Sequence, residues 1–144
     1  KIEVDKESRR NTHLSMYDTV ILVPTKSIGA DIYNQFYGTK FSCNAAFNPE
    51  NPEDQGREYK LKFNLKQEVI HISTLHSFKG WESSTVIIVL HDKSYLKEEH
   101  LYVALTRICR SSFGSYIHIV SSGNKFEAHR LLLDKNKLLD VNEA

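Results

Sequence analysis

Glu68-Val-Ile-His-Ile-Ser-Thr74, then Leu75-His-Ser-Phe-Lys-Gly-Trp-Glu-Ser-Ser84, then Thr85-Val-Ile-Ile-Val-Leu90 is the stretch from which the fold can be read. Both flanks have strand composition, and Val86 to Leu90 is an unbroken apolar run of the kind found in strands covered on both faces. The ten residues between them are polar and contain a glycine, so they read as a surface connection between two buried strands.

Working toward the N-terminus, Asp18-Thr-Val-Ile-Leu-Val-Pro24 is another β-branched run, closed by proline, and predicts a buried strand entering a turn. A helix should follow, capped by Thr25 or Ser27, with Ile28, Ile32 and Phe36 on one face and an end near Gly38. Phe41 to Phe47 predicts a weaker strand. Asn48-Pro-Glu-Asn-Pro-Glu-Asp-Gln-Gly56 carries two Asn-Pro steps and reads as an exposed loop. Toward the C-terminus, Ser94 is a candidate cap for a helix whose first turn holds Glu98 and Glu99 and whose apolar stripe is Leu101, Ala104, Leu105 and Ile108. Tyr116 to Val120 predicts a strand, and Asn124 to about Lys137 a last helix before a polar tail.

Continuous apolar strands alternating with helices predict an α/β domain: a mostly parallel sheet with helices on both faces. Such sheets bind their ligands beyond the carboxyl ends of the strands, which makes the loops after Val23, Thr74, Leu90 and Val120 the candidates. At 144 residues the chain is long enough for one domain with a sizeable core, its ordered part expected over about 18–137. Its 40% hydrophobic, 26% charged and 10% aromatic composition excludes a mostly disordered or fibrous chain. The longest apolar run falls far short of the roughly 20 residues of a bilayer span. With 19 basic and 18 acidic residues the formal net charge is +1, so any nucleic-acid contact must be local. Cys43 and Cys109, without a secretory leader, predict an intracellular, cytoplasmic protein with reduced thiols, the alternative being a single bridge between the two. The first residue is Lys1 and not methionine, which suggests a piece of a longer protein.

The six glycines fit neither G-x-G-x-x-G nor G-x-x-x-x-G-K-[ST], which argues against a nicotinamide-dependent dehydrogenase or a self-contained phosphate-loop ATPase. Seven histidines and two cysteines never reach zinc spacing, so no metal site is expected, and there is no G-x-S-x-G elbow. What remains is Thr74 to Glu82. There Gly80 allows backbone N–H groups to approach an anion, Lys79 supplies charge, and Glu82 is able to accept a hydrogen bond from a sugar hydroxyl. The competing structural account makes Lys79 solvated, His76 a satisfied strand-end histidine, and Trp81 the anchor of the loop in the core. In Leu101-Tyr-Val-Ala-Leu-Thr-Arg-Ile-Cys-Arg110, helical geometry puts Arg107 roughly 110° from the centre of the apolar stripe, at the border of buried and exposed. That position suits an arginine finger, or equally an arginine that caps the last helical carbonyls.

Thr74-Leu-His-Ser-Phe-Lys-Gly-Trp-Glu82 resembles helicase motif V, and Glu98-Glu-His-Leu-Tyr-Val-Ala-Leu-Thr-Arg107 resembles motif VI, of the UvrD/Rep-type superfamily 1 DNA helicases. Val20-Ile-Leu-Val-Pro-Thr25 falls where motif IV would begin. The resemblance covers Asp18 to Val120 and implies the family's second RecA-like domain, a three-layer sandwich. It further implies ATP held between two such domains, with Arg107 reaching the γ-phosphate as the catalytic arginine, Glu82 on the nucleotide ribose and Gly80 close to the phosphates. Thr74 and His76 match the part of motif V that meets the single-stranded DNA backbone, and Tyr102 matches a position that supports the arginine helix. The implied partners are single-stranded or partly duplex DNA, commonly unwound from 3′ to 5′, and the N-terminal RecA-like domain of the same protein; no membrane is involved.

Two departures qualify the likeness. Val23-Pro24-Thr25 stands where many members carry a second phosphate-contacting arginine, and the insertion bearing extra DNA-binding subdomains is missing. The phosphate-loop lysine and the Mg2+-binding acidic motif belong to the family's first domain and do not occur here, so the resemblance implies half of an ATP and Mg2+ site and an isolated piece without turnover. The alternative is a RecA-like nucleic-acid-binding or regulatory module without catalysis.

Overall fold

The structure, a computed structural model, describes residues 18–64, 69–91, 98–109 and 115–122. Its elements are β1 (Thr19–Val23), α1 (Lys26–Phe36), β2 (Cys43–Ala45), α2 (Arg57–Lys62), β3 (Ile70–Thr74), β4 (Thr85–His91), α3 (Glu98–Leu105) and β5 (Tyr116–Ser122). The five strands form one sheet in the order β2-β3-β1-β4-β5. Every pairing is parallel, with Val23 beside Thr74 and Thr19 beside Thr85 fixing the register around β1.

The continuous apolar runs have the meaning expected of them: successive side chains enter opposite layers. On β1, Val20 and Leu22 join Phe63, Leu75, Phe78, Val86, Ile88, Leu90 and Ala104 on one face. Ile21 and Val23 join Ala30, Ala45, Phe47, Ile72 and Val89 on the other. Ile28, Ile32 and Phe36 of α1 pack on the second face, and Leu105 of α3 on the first. The result is the three-layer α/β, RecA-like arrangement.

Thr25, rather than Ser27, caps α1 by accepting the Ile28 N–H at 3.3 Å. Within that helix, a Cβ on Gly29 would lie 2.5 Å from the Phe47 ring and 3.0 Å from Val23, so the missing side chain sets how closely α1 approaches the sheet. The expected strand over Phe41 to Phe47 is confined to Cys43–Ala45, and in the turn before it the Thr39 hydroxyl accepts the Phe41 N–H. The 48–56 connection is a loop, with Asn48 Oδ1 accepting from the N–H groups of Glu50 and Asn51. Helix α2 was not expected: Arg-Glu-Tyr-Lys-Leu-Lys has no buried residue and hence no apolar stripe to reveal it. The proposed Ser94 cap and the helix over 124–137 lie outside the described residues. Cys43 and Cys109 are free thiols. Among the described residues no helix is long and apolar enough to cross a membrane.

Candidate functional site

Between β3 and β4 the chain has no helix and must still travel from one edge of the sheet to the other. Leu75 leaves at the carboxyl edge, its N–H donating to the Val23 carbonyl at the end of β1. Ser83 arrives at the amino edge, its hydroxyl donating to the carbonyl of Asp18, just before β1. Five strand residues, about 16 Å of rise, separate the two points. Residues 75–84 therefore connect two edges of the domain.

At the carboxyl edge Thr74 is buried, and its hydroxyl accepts the Ser77 N–H at 3.2 Å, while its carbonyl accepts the Phe78 N–H at 3.0 Å. These bonds close one turn and drive Phe78 into the core, where it is fully buried. The turn exposes His76, Lys79 and Gly80. Gly80 has φ +91°, and a Cβ there would meet nothing within 4 Å, so its backbone is open to an approaching group. Trp81 is 41% exposed and meets Phe63 edge-on, ring centroids 6.0 Å apart. Phe78, and not the expected Trp81, anchors the loop.

At the amino edge, Ser83 forms a one-residue parallel bridge with Ile108. Its N–H donates to the Arg107 carbonyl and its carbonyl accepts the Cys109 N–H, both at 3.0 Å. The neighbouring Ser84 N–H donates to Asp18 Oδ2 at 2.9 Å. Glu82, exposed, is thus covalently next to the residue whose backbone holds Arg107. The Cys109 thiol is pushed up from its ordinary value by burial, and further by the carboxylates of Asp18 and Glu82.

Arg107 is half-buried. The expected helical stripe through Ile108 is corrected here: α3 ends at Leu105, and Arg107 lies in the tight turn that follows, its N–H donating to the Ala104 carbonyl at 3.1 Å. Its Nη2 donates to Thr106 Oγ1 at 3.2 Å, and its Nε is buried with no hydrogen-bond partner among the described residues. Guanidinium donors left over in this way are suited to a multidentate anion. Tyr102, expected to support the arginine helix, has a side chain that is 69% exposed and a carbonyl that accepts the Thr106 N–H.

The structure brings Glu82 and Arg107 to one edge, and Thr74 and His76 to the opposite one, with Gly80 on the segment between. The expectation that all candidate loops lie beyond the carboxyl ends is therefore corrected for Glu82 and Arg107. A helix that runs antiparallel to the strands delivers its C-terminal residues to the amino edge. Sequence reasoning missed Ser83 and Asp18, whose bonds link residues 65 and 66 apart.

No individual curated protein matches the chain. The family of viral superfamily 1 RNA helicase core domains matches it over residues 5–112, a span that includes β1 through α3, the crossing segment and the turn that carries Arg107. A parallel α/β sheet, a loop running from edge to edge and an arginine turn clasped to its far end are thus found together in a chain that belongs to the viral superfamily 1 RNA helicase core domain family.

Proposed function

We propose that this domain is the second motor half of an ATP-driven nucleic-acid helicase or translocase, completed by an N-terminal RecA-like domain of the same protein. The observation that carries the reading is the convergence of Glu82 and Arg107 at the amino edge, joined by the segment 75–84 to Thr74 and His76 at the carboxyl edge. In this reading Glu82 accepts a hydrogen bond from the nucleotide ribose, and the Gly80 backbone lies near the phosphates. Arg107 neutralises the charge that builds on the γ-phosphoryl oxygens as the bond to the bridging oxygen breaks. Bound ATP with Mg2+ supplies the free energy of hydrolysis; the phosphate-loop lysine and the metal ligands come from the first domain. Thr74 and His76 meet the strand backbone, so a movement at one end of the segment is felt at the other.

An arginine finger is worth about 10³ to 10⁵ in rate. In the protein that carries both motor domains, Arg107→Ala should abolish strand-stimulated ATP hydrolysis while leaving strand affinity nearly intact; near-normal turnover refutes the role. The 144 residues alone should show no Mg2+-dependent hydrolysis. The family match favours RNA as the strand, whereas the UvrD/Rep-like wording of motifs V and VI favours DNA unwound from 3′ to 5′. Comparing the ATPase stimulation by single-stranded RNA and by single-stranded DNA of equal length separates the two.

A further inference from the structure

We propose that Ser83 is a positioning residue that holds Glu82 and Arg107 in mutual register, an inference that rests on the motor reading above. Ser83 is fully buried, and all of its polar groups are used. Its N–H and carbonyl bind the Arg107 carbonyl and the Cys109 N–H, while its hydroxyl donates to the Asp18 carbonyl and lies 3.1 Å from the Thr85 carbonyl. Three separate parts of the chain meet at this one residue: its hydroxyl holds the entry to β1, and its backbone joins the end of the crossing segment to the turn after α3.

The backbone bridge to Ile108 is a single residue long and does not belong to either flanking strand. A one-residue bridge has no second pair on its own ladder to set its register; the neighbouring Ser84 is held elsewhere, its carbonyl accepting the Tyr116 N–H at 2.8 Å. The hydroxyl supplies the missing constraint by tying the bridge to Asp18, which β1 in turn fixes to the centre of the sheet. Asp18 acts a second time through its carboxylate on the Ser84 N–H. An alanine at 83 keeps the main-chain bridge but removes that tether, so the positions of Glu82 and Arg107 loosen without being lost. Catalysis is sensitive to such loosening: a misplacement of about 1 Å can cost on the order of 10²-fold.

In the protein with both motor domains, Ser83→Ala should lower kcat for ATP about 10- to 100-fold. It should also narrow the preference for ATP over 2′,3′-dideoxy-ATP, because Glu82 no longer meets the ribose squarely. Strand affinity should change less than twofold. Asp18→Ala, which removes the acceptor for Ser84, should act in the same direction and more weakly, and serves if Ser83→Ala does not fold. In the 144-residue chain, Ser83→Ala should speed amide hydrogen exchange at Ser83 and Cys109 and shift the Arg107 Nε resonance. Unchanged kcat and ribose preference in both variants, in a background where Arg107→Ala abolishes turnover, overturns the positioning role alone. Turnover that survives Arg107→Ala overturns the motor reading and this inference with it.

Discussion

The two ends of the segment 75–84 are fastened by different physics. At the carboxyl edge the fastening is apolar, with Leu75 and the fully buried Phe78 under a turn that a threonine hydroxyl closes. Burial of this kind is strong and non-directional, so it holds the turn down and leaves His76 and Lys79 on its exposed side. At the amino edge the fastening is a set of directional hydrogen bonds around Ser83. Such bonds contribute less each, about 0.5–1.5 kcal/mol, but they specify where the backbone of Glu82 and Arg107 must lie. One end is built to stay attached, the other to stay in register.

The apolar end gives the largest expected effect and the most direct way to break the contrast. Phe78→Ala removes a fully buried ring, which costs about 3–5 kcal/mol, whereas Trp81→Ala removes a ring that is 41% exposed and should cost well under half as much. Denaturant unfolding of the two variants ranks them; equal losses would mean that the tryptophan shares the anchoring. Gly80→Ala tests the middle of the segment. The added methyl meets open space, so only the φ of +91° resists it, at a cost of about 1–2 kcal/mol. In the complete motor the same change should weaken ATP-dependent activity more than this stability loss accounts for, since the backbone at residue 80 would be displaced. A Gly80→Ala variant with wild-type unfolding and wild-type turnover would show that the left-handed conformation is not required.

Much of this was legible before any coordinates. The runs Val20 to Val23 and Val86 to Leu90 form strands because unbroken apolar sequence has no exposed face to offer, and Ile70 to Thr74, with His71 and Ser73 also fully buried, pairs in parallel beside the first of them. The spacing of Ile28, Ile32 and Phe36 set α1 for the same reason. Helix α2 gave no such signal, since none of its six residues is buried. The end of α3 was placed too late because the stripe of Ala104, Leu105 and Ile108 continues in the packing although the helix does not; Ile108 reaches the same core from the bridge to Ser83. Phe78 and Trp81 are both aromatics in one loop, and composition has no means of choosing between them; the turn begun at Thr74 does. Ser83 and Asp18 were invisible because a serine next to a serine carries no pattern, and the bonds that give it meaning span 65 residues.

The finest test uses the thiols as reporters of the amino edge. Burial raises Cys109, and the Asp18 and Glu82 carboxylates raise it further, whereas Cys43 is raised by burial alone. A pKa lifted above its unfolded value of 9.0 favours the neutral thiol, so the associated stability is fully present below about pH 9 and is lost as the pH climbs through the folded value. Glu82→Gln takes away one of the two charges acting on Cys109 and none of those acting on Cys43. At pH 8.5 the variant should therefore alkylate faster with iodoacetamide at Cys109, by less than an order of magnitude, with Cys43 unchanged as the internal standard. Acceleration at both cysteines would indicate a general loosening of the fold. No acceleration at Cys109 would mean that the Glu82 carboxylate faces away from the Arg107 segment, and the proposed half-site at the amino edge would lose its acidic member.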